Sequence, residues 1–344
     1  MMIRNGLYMT MCVLAVFAFS SCEHKELCYH HPHTATIRLE FDWRDAPSAD
    51  PDGMCVFFYP EEGEDAPVRR FDFTGKTGGE IEIRVGRYRV LCYNNDTEAV
   101  LLRGTEGFDT HEAFTRDGDL FESVYGSSAG NTAPRAEDAE DERVVISPDM
   151  LWGCTATEVE ITESGISYIC IPESEKEEWM GKPALHTEQV ITLYPHELIC
   201  TYTYEIRHVK GLEHVSQMCG SLSGMTPSLL FCDESLGREC VTIPFEAHAG
   251  DETTVVGRFL TFGHHEENAK PHRMMLYVWM DDGSKYCYGT GSGRFNVTEQ
   301  VHSAPDKRHV HIIIDGLDLP QPIGGDDIDP SVDDWQEVNE DIHL

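Results

Sequence analysis

The chain has 344 residues, of which 40% are hydrophobic, and its formal net charge at pH 7 is −35. This hydrophobic content suffices for sizeable cores, and the length exceeds that of one typical domain. Because nucleic-acid binding needs a basic surface, the charge argues against nucleic acid as a partner. It also keeps a protein away from anionic membrane surfaces, so membrane attachment would have to come from lipid.

The first 22 residues predict a lipoprotein signal peptide. Arg4 precedes a nearly unbroken apolar run over residues 7–19, and Ser20-Ser21 then stand directly before Cys22. A cationic start, an apolar run and small residues at a cleavage site are typical of a secretory signal. The run is shorter than the about 20 residues that a membrane-spanning helix needs. Cys22 after two small residues resembles a bacterial lipobox, so we expect removal of residues 1–21 and acylation of Cys22. An ordinary signal peptide with an incidental cysteine is the alternative.

After a polar tether over residues 22–33, the chain has the pattern of many short strands. Residues 34–43 alternate between polar and apolar side chains, which predicts a half-buried strand, whereas the continuous apolar run at 54–59 predicts a strand buried on both faces. Further short strands follow at regular intervals, as in sandwiches and barrels. We therefore predict an N-terminal β-sandwich domain over residues 34–195. Its segment 126–142 has almost no large apolar residue and a run of acids, which indicates a mobile acidic loop.

A second domain is predicted after Pro195. Residues 198–206 are rich in the β-branched and aromatic side chains that strands prefer. Asp282-Gly283 lies between two strand-like runs and predicts a hairpin. We expect a second β-sandwich over residues 196–320. Residues 321–344 are acidic, and we expect a solvated tail that can dock one apolar residue or strand.

The twelve cysteines do not form a compact disulfide pattern. Several lie inside strand-like runs, where a cysteine is more often a small buried hydrophobic residue. Cys232 and Cys240 flank a turn and are the candidate disulfide. Cys-x-x-Cys does not occur, so neither a redox motif nor a zinc ribbon is indicated.

Signals for chemistry are few. His309 and His311 share one face of a predicted strand and His302 is near in sequence, so these three are candidate metal ligands. The spacing assigns no third ligand, and we favour the interpretation that they are surface histidines. The segment Gly220–Gly224 has Leu222 at the position where a nucleophile elbow has its serine, and it predicts a small-residue turn. Phosphate-binding and calcium-binding loop patterns do not occur. We therefore expect a protein that is not an enzyme and has no cofactor.

Short motifs along nearly the whole chain resemble those of a known family. They lie at Cys22–Trp43, Ser147–Trp152, Leu193–Pro195, Gly220–Met225, Leu260–His264, Val297–Pro320 and Trp335–Val338. The chain resembles Bacteroides-type lipoproteins catalogued as a domain of unknown function, which are similar to fimbrillin-type subunits and anchoring minor subunits of Bacteroidales fimbriae. The resemblance implies an all-β fold of two tandem transthyretin-like Greek-key β-sandwiches, an outer-membrane lipid anchor and subunits joined by donated strands. It implies no enzymatic residues.

These observations together predict a surface-exposed lipoprotein of the outer membrane that acts as a fimbrial anchor or minor subunit. We expect it to join fimbrial subunits or other surface proteins by β-strand addition, because an open sheet edge can pair with an extended segment. The alternative is a surface lipoprotein that binds glycans or peptides, through an exposed aromatic residue such as Trp179, and has no role in fimbria assembly. A metallohydrolase that uses His302, His309 and His311 is a third, disfavoured hypothesis.

Overall fold

The computed structural model describes residues 34–62, 66–121, 133–162, 189–291, 293–321 and 335–338. Short helices lie at Phe108–Thr110, Glu137–Ala139 and Leu212–His214, and α1 is Thr298–His302. Within these ranges, no helix has the length and the apolar content needed to cross a membrane. The predicted signal peptide, Cys22 and the tether lie outside the described residues.

Almost all regular structure is β-strand, which confirms the predicted all-β fold. The strands are β1 (Thr34–Phe41), β2 (Gly53–Pro60), β3 (Arg69–Thr74), β4 (Gly79–Arg84), β5 (Gly86–Asn94), β6 (Val100–Arg103), β7 (Glu112–Thr115), β8 (Arg143–Val144), β9 (Trp152–Ile161), β10 (Gln189–Leu193), β11 (His196–Glu197), β12 (Cys200–Lys210), β13 (Val215–Met225), β14 (Ser228–Leu230), β15 (Val241–Glu246), β16 (His248–Asp251), β17 (Thr254–Thr261), β18 (Met274–Met280), β19 (Lys285–Tyr288), β20 (His309–Asp318) and β21 (Gln336–Val338).

The strands form five sheets. Their orders are β10-β1-β4, β11-β9-β5-β2-β3, β14-β7-β6, β16-β17-β12-β20 and β21-β19-β18-β13-β15-β8. The chain divides into two compact units, one of residues 1–38, 80–86 and 160–190, the other of residues 39–79, 87–159 and 191–344. The predicted domain boundary at residues 195/196 stays a prediction.

Within the larger unit, the four-stranded and six-stranded sheets enclose a shared core, as in a β-sandwich. Phe245 of β15 packs between Tyr204 of β12 and Phe259 of β17, with ring centroids 4.8 and 4.5 Å apart. The Tyr204 hydroxyl donates to the carbonyl of Glu246 at 2.9 Å, so its polar end has a partner inside this core. Alternate residues of β20, which pairs in parallel with β12, complete the apolar layer.

Several local predictions are confirmed. The run at residues 54–59 lies in β2, which is buried on both faces. Gly283, with φ +87°, forms the turn between antiparallel strands β18 and β19. The predicted turn at Gly220–Gly224 is wrong, because these residues lie inside β13. Small residues are needed there for packing: a Cβ on Gly220 would lie 2.3 Å from the Phe245 ring.

Of the predicted acidic loop, residues 133–142 are described, and this part packs against the six-stranded sheet. Glu142 is buried, and its carboxylate accepts bonds from the Gly224 backbone N–H at 3.1 Å and from the Thr242 hydroxyl at 3.0 Å. Asp138 and Asp141 form ion pairs at 2.9 Å with Arg273 and Lys270. Asp138 and Asp141 therefore each have a cationic partner in the segment that precedes β18.

Candidate functional site

The outer strand of the six-stranded sheet is supplied by the C-terminal tail. β21 pairs in parallel with β19 over three residue pairs, Tyr286 with Gln336, Cys287 with Glu337 and Tyr288 with Val338. A strand of this length forms few backbone hydrogen bonds. Backbone pairing alone therefore holds the tail weakly, and side-chain contacts must supply much of the stabilisation.

Trp335 supplies the main side-chain contact of the tail. Its ring stacks on Phe121 at a centroid distance of 5.5 Å and meets Tyr277 and Trp279 edge-on at 5.4 and 4.8 Å. Aromatic pairs of this geometry contribute about 0.5–1.5 kcal/mol each beyond their buried area. Val338, at the other end of β21, packs against the sandwich core. The β19 edge is thus a groove that accepts an extended segment with an aromatic anchor.

The edge of β20, at the end of the four-stranded sheet, is covered by side chains. Gln300 of α1 donates to the carbonyl of Ile313 at 2.9 Å and accepts from the Ile313 backbone N–H at 2.8 Å. Arg294 donates to the carbonyl of Gly316 further along the strand. Side chains that occupy the backbone groups of an edge prevent another strand from pairing there.

Three other described edges, those of β3, β16 and β8, carry charges, have irregular pairing or are very short. On β3, Arg70 and Asp72 form an ion pair at 2.7 Å beside the exposed Arg69. The pairing of β16 with β17 contains a bulge, and β8 has only two residues. Charged, bulged and very short edge strands disfavour strand addition. Among the described strands, β19 would form the edge of its sheet if the short segment β21 from the C-terminal tail did not cover it.

The predicted metal candidates do not form one group. On β20, Nδ1 of His309 lies 3.0 Å from the Asp306 carboxylate and Nε2 lies 3.2 Å from the Glu197 carboxylate. Nδ1 of His311 lies 2.9 Å from the Thr203 hydroxyl. Both rings are exposed, as expected for surface histidines.

His302 instead lies beside His264 and His272, at the C-terminal end of α1. The Nε2 atoms of His272 and His302 are 3.1 Å apart, and the rings of His264 and His302 stack with centroids 4.8 Å apart. Burial lowers the pKa of the His264 and His272 imidazoles to about 4, so both are neutral at pH 7.

The predicted disulfide partners Cys232 and Cys240 are free thiols in the structure, and their pairing stays a prediction. The Cys240 thiol donates to the Asn268 side-chain carbonyl at 3.1 Å. The structure instead places Cys92 of β5 next to Cys154 of β9, with their sulfur atoms 3.3 Å apart. Trp179, the candidate glycan-binding residue, lies outside the described residues.

Comparison with known protein families identifies the family of this chain. The profile of the family described as "Domain of unknown function (DUF5119)" matches residues 21–246, which is more than half of the chain. The chain belongs to the DUF5119 family. This confirms the resemblance inferred from the sequence motifs.

Two proteins of Bacteroides ovatus are similar to this DUF5119 protein over most of its length. One, named putative fimbrium anchoring subunit Fim4B, is 27% identical over 274 residues, which covers 79% of this chain and 69% of that protein. The other is a putative adhesin, whose crystal structure has a TM-score of 0.53 and 20% sequence identity to this chain. This match covers 94% of this chain and 99% of the adhesin chain. The fimbrial anchor protein Mfa2 from Porphyromonas gingivalis has a TM-score of 0.43 at 12% identity, covering 81% of this chain and 90% of its own. The adhesin structure supports the fold.

The histidine cluster in this DUF5119 protein was missed by sequence reasoning, although one of its members, His302, was named. His264 was noted only as part of a motif, and His272 was not singled out. Gly224 leaves room for the ring of His272, because a Cβ there would lie 2.8 Å from Nδ1 of that ring. Contacts between residues so distant in sequence cannot be read from spacing.

Proposed function

We propose that this protein is a fimbrial anchor or minor fimbrial subunit, held at the outer surface of the cell by lipid, that binds a partner subunit by β-strand addition. Its homology to a protein named as a putative fimbrium anchoring subunit supports the fimbrial role. The observation that carries strand addition is the pairing of the chain's own tail with the edge of β19. The role is structural rather than enzymatic.

The partner's extended segment takes the place of β21. It pairs with the backbone of Lys285–Tyr288 and inserts an apolar side chain where Trp335 contacts Phe121, Tyr277 and Trp279. A partner strand that pairs with all four residues of β19, rather than with the three that β21 reaches, forms more backbone hydrogen bonds, which favours the exchange. The tail meanwhile keeps the edge from pairing non-specifically before assembly.

A substitution at Trp335 tests this exchange. Trp335→Ala removes the anchor of the tail, so it should free the edge and increase recovery of fimbrial subunits from solubilised cell envelopes of the native host. The bait is the purified chain without residues 1–21, and captured subunits are identified by mass spectrometry. Glu337→Gln is the matched control, because it changes an exposed side chain of the same strand and keeps the pairing.

Unchanged or reduced recovery with Trp335→Ala would contradict the exchange. A reduced recovery would instead mean that the tail itself is the donated strand. If none of the baits recovers a fimbrial subunit, the proposed fimbrial role is wrong.

Membrane attachment is proposed to depend on Cys22, at the start of the predicted tether. Stable anchoring needs more than one membrane signal, and several acyl chains on one cysteine meet this requirement. We expect Cys22→Ser to move the protein from the outer-membrane fraction to a soluble or unprocessed form, whereas Cys28→Ser, six positions further along, should leave it in the membrane. Unchanged fractionation of Cys22→Ser would argue against a lipid anchor.

A further inference from the structure

Three imidazoles from three separate segments meet in the larger unit. His264 follows β17, His272 precedes β18, and His302 ends α1. When one nitrogen is taken from each ring, the three nitrogens all lie within 4.8 Å of one another. Strand addition at the β19 edge makes no use of them.

Hydrogen bonding fixes the tautomer of His272. Its ring is fully buried, and Nδ1 lies 3.1 Å from the carbonyl of Ser223. A carbonyl can only accept, so Nδ1 carries the proton and the lone pair of Nε2 points at the cluster. A backbone carbonyl that orients an imidazole in this way is a common outer partner of metal-bound histidines.

The backbone around His272 is also held in place. Its N–H donates to the Thr298 hydroxyl at 2.8 Å, and its carbonyl accepts from the Val297 N–H at 3.0 Å. These bonds join the start of β18 to the start of α1, the helix that carries His302. Two of the three rings are therefore positioned by one rigid connection, as a preformed site requires.

The spacing of the nitrogens suits a metal ion. In a tetrahedral zinc site with Zn–N bonds of about 2.0–2.1 Å, two ligand nitrogens lie about 3.4 Å apart. The Nε2 atoms of His272 and His302 are 3.1 Å apart, so the ion would take the place of the proton on Nε2 of His302, which would move to Nδ1 of the same ring. His264 needs to approach by at most about 1.4 Å, since its nitrogen lies within 4.8 Å of the others. The exposed ring of His302 stacks on that of His264, so it would turn out of this stack to direct its nitrogen at the same ion.

We propose that His264, His272 and His302 form a binding site for a divalent transition-metal ion, with zinc as the ion of first choice. Imidazoles are ligands that zinc prefers, and the exposure of His302 lets water reach the ion as a fourth ligand. Because the ion would join α1 to β17 and β18, it would stabilise the helix whose Gln300 covers the edge of β20.

Zinc titration of the chelator-treated protein without residues 1–21 tests the site. Isothermal calorimetry with zinc chloride should give one ion per chain for the wild type. His302→Ala should weaken zinc binding by at least about tenfold. This residue is exposed, so the variant should fold, and circular dichroism checks that it does. His309→Ala, which removes an exposed histidine on β20, is the control and should bind zinc like the wild type.

A second readout separates this site from zinc bound loosely by surface histidines. Cobalt(II) in a tetrahedral nitrogen site has a strong visible absorption, which we expect in the wild type and in His309→Ala but not in His302→Ala. Absence of stoichiometric zinc binding would overturn the proposal. So would equal losses of affinity in the two variants, because they would indicate adventitious surface chelation.

Discussion

At the scale of single residues, His111 is the polar centre of a buried aromatic group. Its ring is fully buried, with Nδ1 2.6 Å from the Tyr59 hydroxyl and Nε2 3.2 Å from the Tyr93 hydroxyl. Because Tyr59 already donates to the carbonyl of Thr105, Nδ1 donates to Tyr59 and Nε2 accepts from Tyr93. The bond that Nε2 accepts from Tyr93 requires the neutral imidazole, and burial lowers the pKa of this ring to about 4.

His111→Ala should lower the free energy of unfolding by about 3 kcal/mol, because it leaves a cavity and removes a partner of two buried hydroxyls. His111→Phe keeps most of the volume and should cost less. Urea unfolding followed by tyrosine and tryptophan fluorescence measures both variants. A loss below about 0.5 kcal/mol for His111→Ala, within the range of ordinary surface substitutions, would contradict the described packing.

The same residue predicts a pH dependence. In the unfolded chain His111 has its ordinary pKa of 6.5, whereas in the folded protein it titrates at about 4. The unfolded state therefore binds more protons between these values, and the contribution of His111 to stability falls as the pH drops from 6.5 to 4. Arg70 and Glu106 are the charged groups near the ring, and they act in opposite directions.

His111→Phe should flatten the pH dependence of the urea midpoint between pH 6.5 and 4 relative to the wild type, because it removes this titration. Comparing the two proteins cancels the contributions of all other groups. Parallel curves would mean that His111 is not buried in its neutral form.

At the scale of elements, Cys92 and Cys154 lie side by side on two neighbouring strands, β5 and β9. Their sulfur atoms are 3.3 Å apart, and a disulfide needs about 2.05 Å, so a small side-chain rotation brings them together. We expect oxidised glutathione to join them with loss of two hydrogen atoms, detected by mass spectrometry of non-reduced peptides. Cys92→Ser should abolish this product. Finding Cys232 joined to Cys240 instead would support the pairing predicted from the sequence.

The edge of β20 gives a second prediction about an element. Gln300→Ala removes both hydrogen bonds to Ile313 and should destabilise the protein by about 1–2 kcal/mol. It should also expose the edge and raise the fraction of dimers and larger species in size-exclusion chromatography. Glu299→Ala, at the neighbouring exposed position, should do neither. A monomeric, equally stable Gln300→Ala protein would show that the side chain does not protect this edge.

Strands with strong local patterns could be predicted from the sequence. The apolar run of β2 and the Asp282-Gly283 hairpin are specified by neighbouring residues alone. The prediction for Gly220–Gly224 was wrong because its small residues accommodate Phe245 and His272, which approach from other segments of the chain. The parallel pairing of β20 with β12 also joins distant segments, and no local pattern specifies such a partner.

At the scale of the whole molecule, the family and its all-β fold follow from motifs spread along the chain, whereas the candidate site does not. Trp335 was recognised as part of a tail motif. The residues that receive it, Phe121, Tyr277 and Trp279, come from separate parts of the sequence. Which edge accepts a strand depends on this convergence and on side chains such as Gln300, so only the three-dimensional structure distinguishes the β19 edge from the others.

Photo-cross-linking in the native host tests the proposed strand addition most directly. A photoreactive phenylalanine analogue replaces Lys285, a half-buried residue of β19, and in a control strain it replaces Arg69 on the charged edge of β3. If a partner strand pairs with β19, illumination should cross-link a fimbrial subunit to position 285 and not to position 69. Cross-links to a fimbrial subunit from position 69 alone, or none from either position in fimbriated cells, would contradict the account.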